Sequence, residues 1–228
     1  MTKKTALIQA QDSNSMIQKS EKVITKYMTA TERETYIIKR AIECFAQNGF
    51  SVTTRELAKN IGVTQPLIYR YFGSKDALIE RVHHEVFVSR WNPQWEISLS
   101  DHKQSIEERL INYIEEYTSA ILRNDWVRLF IFTALSNPEF NKNYTQLLKE
   151  KIFFPILREI RVAHGLDPAP SEIDIEIIWG FHSSFFYMGI RRWIYLMQLP
   201  EDINNIIRAR VKHFLYGYHA LLENNNKD

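Results

Sequence analysis

The sequence predicts an all-α fold, and three observations predict it. Apolar residues recur at helical spacing along nearly the whole chain. Seven glycines and seven prolines among 228 residues fall mainly at the ends of those periodic stretches. No alternating run bounded by turn signals marks a strand, and no repeat of fixed period is visible.

Composition narrows the classes. Hydrophobic residues make up 45% and charged residues 25%, as in an ordinary soluble protein with room for a sizeable core. The single cysteine, Cys44, excludes an internal disulfide framework and a multi-cysteine zinc site. Net charge is +2, and the basic excess sits at the front: residues 1–30 hold five lysines against Asp12 and Glu21. The longest uncharged apolar run is Ile177–Ile190, too short to span a bilayer and interrupted by His182, Ser183 and Ser184. No signal-peptide core is present, so the expected location is the cytoplasm, with no membrane partner.

In chain order, residues 1–30 read as an N-terminal extension. It is polar over 1–13 and compatible with a short helix over 14–28 that would put Lys19, Lys22 and Lys26 on one face. The simplest reading of those lysines is a solvated basic tail; an arm on neighbouring DNA backbone is the sharper alternative. Thr31 and Glu34 have the spacing of a capping box and are expected to open the first helix. Ile37, Ile38, Ala41, Cys44 and Phe45 form its apolar stripe, and Gly49 ends it. Thr53 and Glu56 give a second capping box, opening a short helix with Leu57, Ala58 and Ile61 inside. Gly62 breaks the chain, Val63 plugs inward, Thr64 caps a third helix, and Pro66 lies in its first turn. Leu67, Ile68 and Phe72 face its core. Ser74 caps a fourth helix from Lys75 to about Ser89, and Pro93 closes it.

Longer helices follow. One lies near 103–123, striped by Ile106, Leu110, Tyr113, Ile114, Tyr117 and Ile121. Asp125 is expected to cap another over 126–135. Asn137–Pro138 starts a third that ends before Gly165, with a kink or break at Pro155. Ser171 and Asp174 resemble a capping box for a helix reaching about Gln198, and a last helix runs from about Glu201 to Glu223.

Two short helices joined by a glycine turn make a helix-turn-helix, in which the second helix braces the third so that it can enter a major groove. The stretch Thr53-Thr54-Arg55-Glu56-Leu57-Ala58, then Gly62 through Leu78, together with Ala41, Phe45, Gly49 and Phe50, resembles the DNA-binding domain of TetR/AcrR-type transcriptional repressors. The resemblance covers about residues 33–82. It implies a helix-turn-helix domain over 31–80 and a helical ligand-sensing and dimerisation domain over 81–228. It also implies that Gln65–Tyr71 is the recognition helix. Thr54 and Arg55 would then approach phosphate or base, Thr64, Gln65 and Pro66 would face base edges, and Tyr69, Tyr71 and Lys75 would hold phosphates. The role of Arg70 stays open between base, phosphate and free surface. Independently, Gln65 has the chemistry to pair with adenine, and hydroxyls and helix N-termini suit phosphate oxygens.

Residues 126–199 hold 14 aromatic side chains, a richer share than the 13% of the whole chain. They suit a pocket for an apolar or aromatic effector. The candidates are Trp126, Phe130, Phe153, Phe154, Trp179, Phe181, Phe186 and Tyr187, with His182, Ser183 and Ser184 as polar partners; plain core packing is the alternative for each. The last helix carries a second small-residue face of Ala209, His213, Gly217 and Ala220. With Trp193 on the preceding helix, this face is expected to form a homodimer interface, as the resemblance implies. The whole then reads as a ligand-responsive regulator, most simply a repressor, that binds a palindromic duplex as a dimer and is released by its effector. An activator, or a helical ligand-binding protein without DNA binding, is the alternative. Catalysis is not expected: there is no nucleophile elbow, phosphate-cradling glycine loop or metal-ligand spacing, and no cofactor is implied.

Overall fold

The computed structural model describes residues 28–225. The expected N-terminal extension, apart from its last residues, lies outside the described residues. Among these residues every regular element is helical. In order they are α1 (Ala30–Asn48), α2 (Thr54–Ile61), α3 (Gln65–Phe72), α4 (Lys75–His83), α5 (Gln94–Leu99), α6 (Ile106–Ile121), α7 (Asn124–Ser136), α8 (Pro138–Leu148), α9 (Phe154–Ala163), α10 (Glu172–Trp193) and α11 (Ile203–Asn225). Short π-helical segments follow α4 (His84–Val88) and α8 (Lys149–Phe153). The chain divides into two compact units, one up to Ser89 and one from Arg90. The sequence predicts that division earlier, after residue 80.

In the first unit α1 begins two residues earlier than expected. The Thr29 hydroxyl accepts from the Glu32 amide at 3.2 Å, and the Glu32 carboxylate accepts from the Thr29 amide and hydroxyl, each at 2.8 Å. Two threonine-to-glutamate frames overlap here, and the earlier one gains the extra backbone bond from Arg33 to Thr29. Glu34 lies instead 3.9 Å from Arg81. The core joins Ile37 and Phe45 of α1, Leu57 and Ile61 of α2, Ile68 of α3, and Leu78 and Val82 of α4, all closed to solvent. Each such burial contributes about 1.5–3 kcal/mol before entropy.

In the second unit Pro93 starts a helix as well as ending a stretch. It precedes α5, which no periodicity marks because six residues are too few to show a period. This short helix buries Trp95 and Leu99. A capping box of Ser105 and Glu108 opens α6, later than the expected residue 103. Asp125 lies within the first turn of α7 and does not cap it; its carboxylate holds Arg90 at 2.9 Å and Arg123 at 3.3 Å. Pro155 falls in the first turn of α9, directly after the π-helical turn. Widening the preceding turn accommodates the missing N–H, so the helical path continues through the proline. The Ser171–Asp174 box opens α10 as expected, with three bonds of 2.7–3.2 Å. α10 stops at Trp193, short of Gln198, and Leu196 beyond it takes a positive φ of 55°. α10 meets α7 closely at Gly189, where an added Cβ would stand 2.7 Å from Val127 Cγ2.

Candidate DNA-binding surface

The candidate surface is built from the facing ends of α2 and α3. The Thr53 hydroxyl accepts from the Glu56 amide at 3.3 Å, and the Glu56 carboxylate accepts from the Thr53 hydroxyl at 2.7 Å and its amide at 2.9 Å. Those bonds, the hydroxyl first, hold the Glu56 carboxyl below its ordinary pKa. The turn depends on Gly62, which is left-handed at φ 83° and ψ 25°, a conformation a Cβ disfavours. The amides of Gly62 and Val63 both return to the Ala58 carbonyl at 3.0 Å. Val63 is half-buried in the turn. Tyr36, not among the residues expected from the sequence, donates its hydroxyl to the Ile61 carbonyl at 3.1 Å and fixes the end of α2 to α1. Its only sequence signal is a tyrosine one position ahead of the apolar stripe.

Thr64 occupies the N-cap position of α3, yet its side chain makes no cap bond. Pro66 lies in the first turn, and Ile68 anchors the helix in the core. The Tyr69 hydroxyl donates to Thr54 Oγ1 at 3.4 Å, which joins the outer ends of the two helices. Hydrogen bonds from Thr54 and then Gln65 hold the Tyr69 phenol below its ordinary pKa, although the ring is 42% exposed. The structure therefore gathers Thr54, Gln65 and Tyr69 into one polar group. Arg55, Thr64, Pro66 and Arg70 are exposed, and Tyr71 is half-buried. Lys75 donates to the Phe50 carbonyl at 2.5 Å, so its ammonium also ties α4 to the turn after α1. Phe72, expected in the core, is half-buried, its ring 6.2 Å from that of Tyr71.

The aromatic residues of the second unit pack ring against ring. Trp126 stacks on Phe130 at 4.8 Å, and Phe186 meets both edge-on. Phe153 meets Trp179 at 4.7 Å and His182 at 5.0 Å. His182 is buried among Tyr113, Tyr117 and Phe153, with its Nε2 2.9 Å from the Tyr113 hydroxyl. Of the other candidates Phe154 is half-buried, Tyr187 half-exposed, and Ser183 faces outward. A groove of about 480 Å³ opens between α10 and α11, lined by Phe181, Ser184, Phe214 and Leu221 among others. It also takes in His213 and Gly217 from the expected interface face. Ala209 and Ala220 are exposed, whereas Trp193 is half-buried and donates to the Leu122 carbonyl at 2.9 Å.

Burial lowers the His182 pKa to about 3, so the ring is neutral near pH 7. In the unfolded chain it takes up its proton near the ordinary value of about 6.5. The unfolded state thus binds more protons below that value, and stability falls as pH drops, by at most about 1.4 kcal/mol per pH unit. Replacing His182 with Gln, which keeps a donor toward Tyr113, should flatten the decline between about pH 6.5 and 5. Denaturant titrations across that range measure it, and equal slopes in both proteins would refute the assignment.

No helix among the described residues is long and apolar enough to cross a membrane, and none of their His, Cys, Asp and Glu side chains form a cluster able to hold a metal. Residues 37–82 match the family described as bacterial regulatory proteins, tetR family. The tetracycline repressor protein class G of Vibrio anguillarum is 27% identical over 128 residues, which are 53% of this chain and 56% of that protein. The match thus spans little more than half the length of that curated relative. Two solved structures share the fold. A TetR-like transcriptional regulator from Rhodococcus sp. RHA1 has a TM-score of 0.62 at 15% identity, covering 83% of this chain and 99% of that one. A transcriptional regulator described as putative, from Pseudomonas aeruginosa PAO1, has a TM-score of 0.61 at 12% identity, covering 88% and 96%. Residues 37–82, which contain the helix-turn-helix, are thus similar to the DNA-binding part of bacterial regulatory proteins of the tetR family, and the all-helical architecture is similar to that of the solved regulators along most of the chain.

Proposed function

We propose that the chain is a transcriptional regulator that binds a palindromic operator as a homodimer and acts as a repressor released by an apolar or aromatic small molecule. The observation that carries this reading is the polar group of Thr54, Gln65 and Tyr69 at the exposed ends of α2 and α3. Hydroxyls and a carboxamide held there suit phosphate oxygens and a base edge, with Arg55, Thr64, Pro66, Arg70, Tyr71 and Lys75 around them. A single short helix reads few base pairs, and two of them in a two-fold dimer read successive major grooves. The α10–α11 face with its small residues Ala209, Gly217 and Ala220 supports pairing with a second copy. The aromatic interior around Trp126, Phe153 and Trp179 supports an apolar effector, which acts by preferring a state in which the two reading heads leave operator spacing.

Duplexes selected from a random library by the purified protein should share an inverted repeat with half-sites about 34–36 Å apart. Selection that enriches no repeat would remove the operator reading. Loss of binding to the selected duplex on adding aromatic or apolar compounds tests the effector.

A further inference from the structure

α10 presents an outward stripe of Ile173, Glu176, Gly180, Ser183 and Tyr187, all exposed. The spacings alternate between three and four residues, the period of helices that pack along one another. Ile173 is 71% and Tyr187 50% exposed, so the stripe leaves much apolar surface uncovered. Gly180 sits in its middle, and an added Cβ there would meet nothing within 4 Å. The charges along the stripe are also unmatched. Arg191 continues it toward the C-terminus, with its Nε buried and without a hydrogen-bond partner. Arg210 of α11 lies near enough for the Arg191 charge to act on it and is spent on the Ser184 carbonyl and hydroxyl, at 2.8 and 3.1 Å. Among the described residues, neither arginine has a carboxylate partner, and Glu176 has no cation.

We propose that α10 pairs antiparallel with its own copy about a two-fold axis between Ser183 and Ser184, so that Glu176 of each subunit forms an ion pair with Arg191 of the partner subunit. The proposal rests on the dimer reading above and adds its register and its charge code. In an antiparallel two-fold pair, positions equidistant from the axis face each other. This axis sets Gly180 opposite Tyr187, so a large ring enters open space, and Ile173 opposite Ile194, so two exposed apolar side chains cover each other. An axis at Gly180 would instead set Glu176 opposite Ser184 and leave Arg191 beyond the paired stretch. Of these two registers only the first satisfies the size, polarity and charge of the stripe together. Like charges brought together in the wrong pairing cost several kcal/mol, so the pair also selects this chain as its own partner.

The test is charge exchange read by sedimentation equilibrium and native mass spectrometry. Glu176→Arg alone and Arg191→Glu alone should each raise the dimer dissociation constant on the order of 100-fold, because each sets like charges opposite at both ends of the paired stretch. An equal mixture of the two variants restores opposite charges at both ends of the paired stretch in the heterodimer and relieves the repulsion of either variant alone, and should return heterodimer to within about tenfold of the native affinity. Gly180→Leu should weaken the dimer while leaving the helical circular dichroism and unfolding midpoint of the subunit intact. A native protein that stays monomeric overturns the dimer reading itself. A native dimer whose charge variants associate unchanged, or whose mixture regains nothing, overturns the Glu176–Arg191 pairing alone, and an unchanged Gly180→Leu dimer overturns the axis.

Discussion

Replacing Gln65 with Ala is expected to weaken binding to the selected operator by roughly 30-fold or more. A carboxamide paired with one base is worth about 1–3 kcal/mol of discrimination, and a dimer loses two such pairings at once. Gln65 stands at the first position of α3, one turn before Tyr69. The loss should be sequence-selective: affinity for the best operator falls, while affinity for random duplex barely changes. Arg55→Ala should do the opposite, weakening all duplexes alike and reducing the salt slope by about one unit for each phosphate no longer neutralised. Competition binding at two salt concentrations separates the two patterns. If Gln65→Ala keeps its discrimination, Gln65 is not a base reader. The fold is not at stake, since Gln65 lies outside the buried core that holds α3.

Replacing Glu159 with Ala should destabilise the protein by about 3 kcal/mol. Arg109 on α6 is only 2% exposed. Its Nη1 and Nη2 donate to the two carboxylate oxygens of Glu159 on α9, the first at 2.9 Å. The same guanidinium donates to the carbonyls of Leu99 and, at 3.2 Å, of Gln104. Removing the carboxylate leaves a buried cation with carbonyls alone, and the missing partner is the one that cancels its charge. The figure takes the low end of the usual range because Glu159 retains some solvent contact, at 29% exposure of its side chain. A double replacement, Arg109→Met with Glu159→Leu, should recover most of the loss, since neither charge then stays buried. Denaturant midpoints measure all three proteins. A Glu159→Ala protein as stable as the native one would show that the bidentate pair does not hold α6 to α9.

The helices around the reading head are legible because their signals are local. Thr53 and Glu56, Gly62, Pro66 and Ser74 each act within one turn of chain, so their residue types mark the start or stop without knowledge of the rest. Where two local signals compete, the sequence does not choose. The Thr29 frame wins over Thr31 by one more backbone bond, and Asp125 serves two arginines rather than a helix end. α5 leaves no such signal because its six residues are held by the burial of Trp95 and Leu99 against partners from elsewhere in the chain.

The amino-acid sequence determined that this chain is helical, where α2 and α3 begin and end, and which residue types they offer. Tertiary structure decided which of those residues stand together. The Tyr69 hydroxyl meets Thr54 across fifteen residues, Arg109 meets Glu159 across fifty, and His182 meets Tyr113 across sixty-nine. Such pairs carry no spacing rule. A helix turn fixes the relation of residues three or four apart, whereas distant residues meet only after helices settle against a shared core, and the packing of every other side chain sets that arrangement.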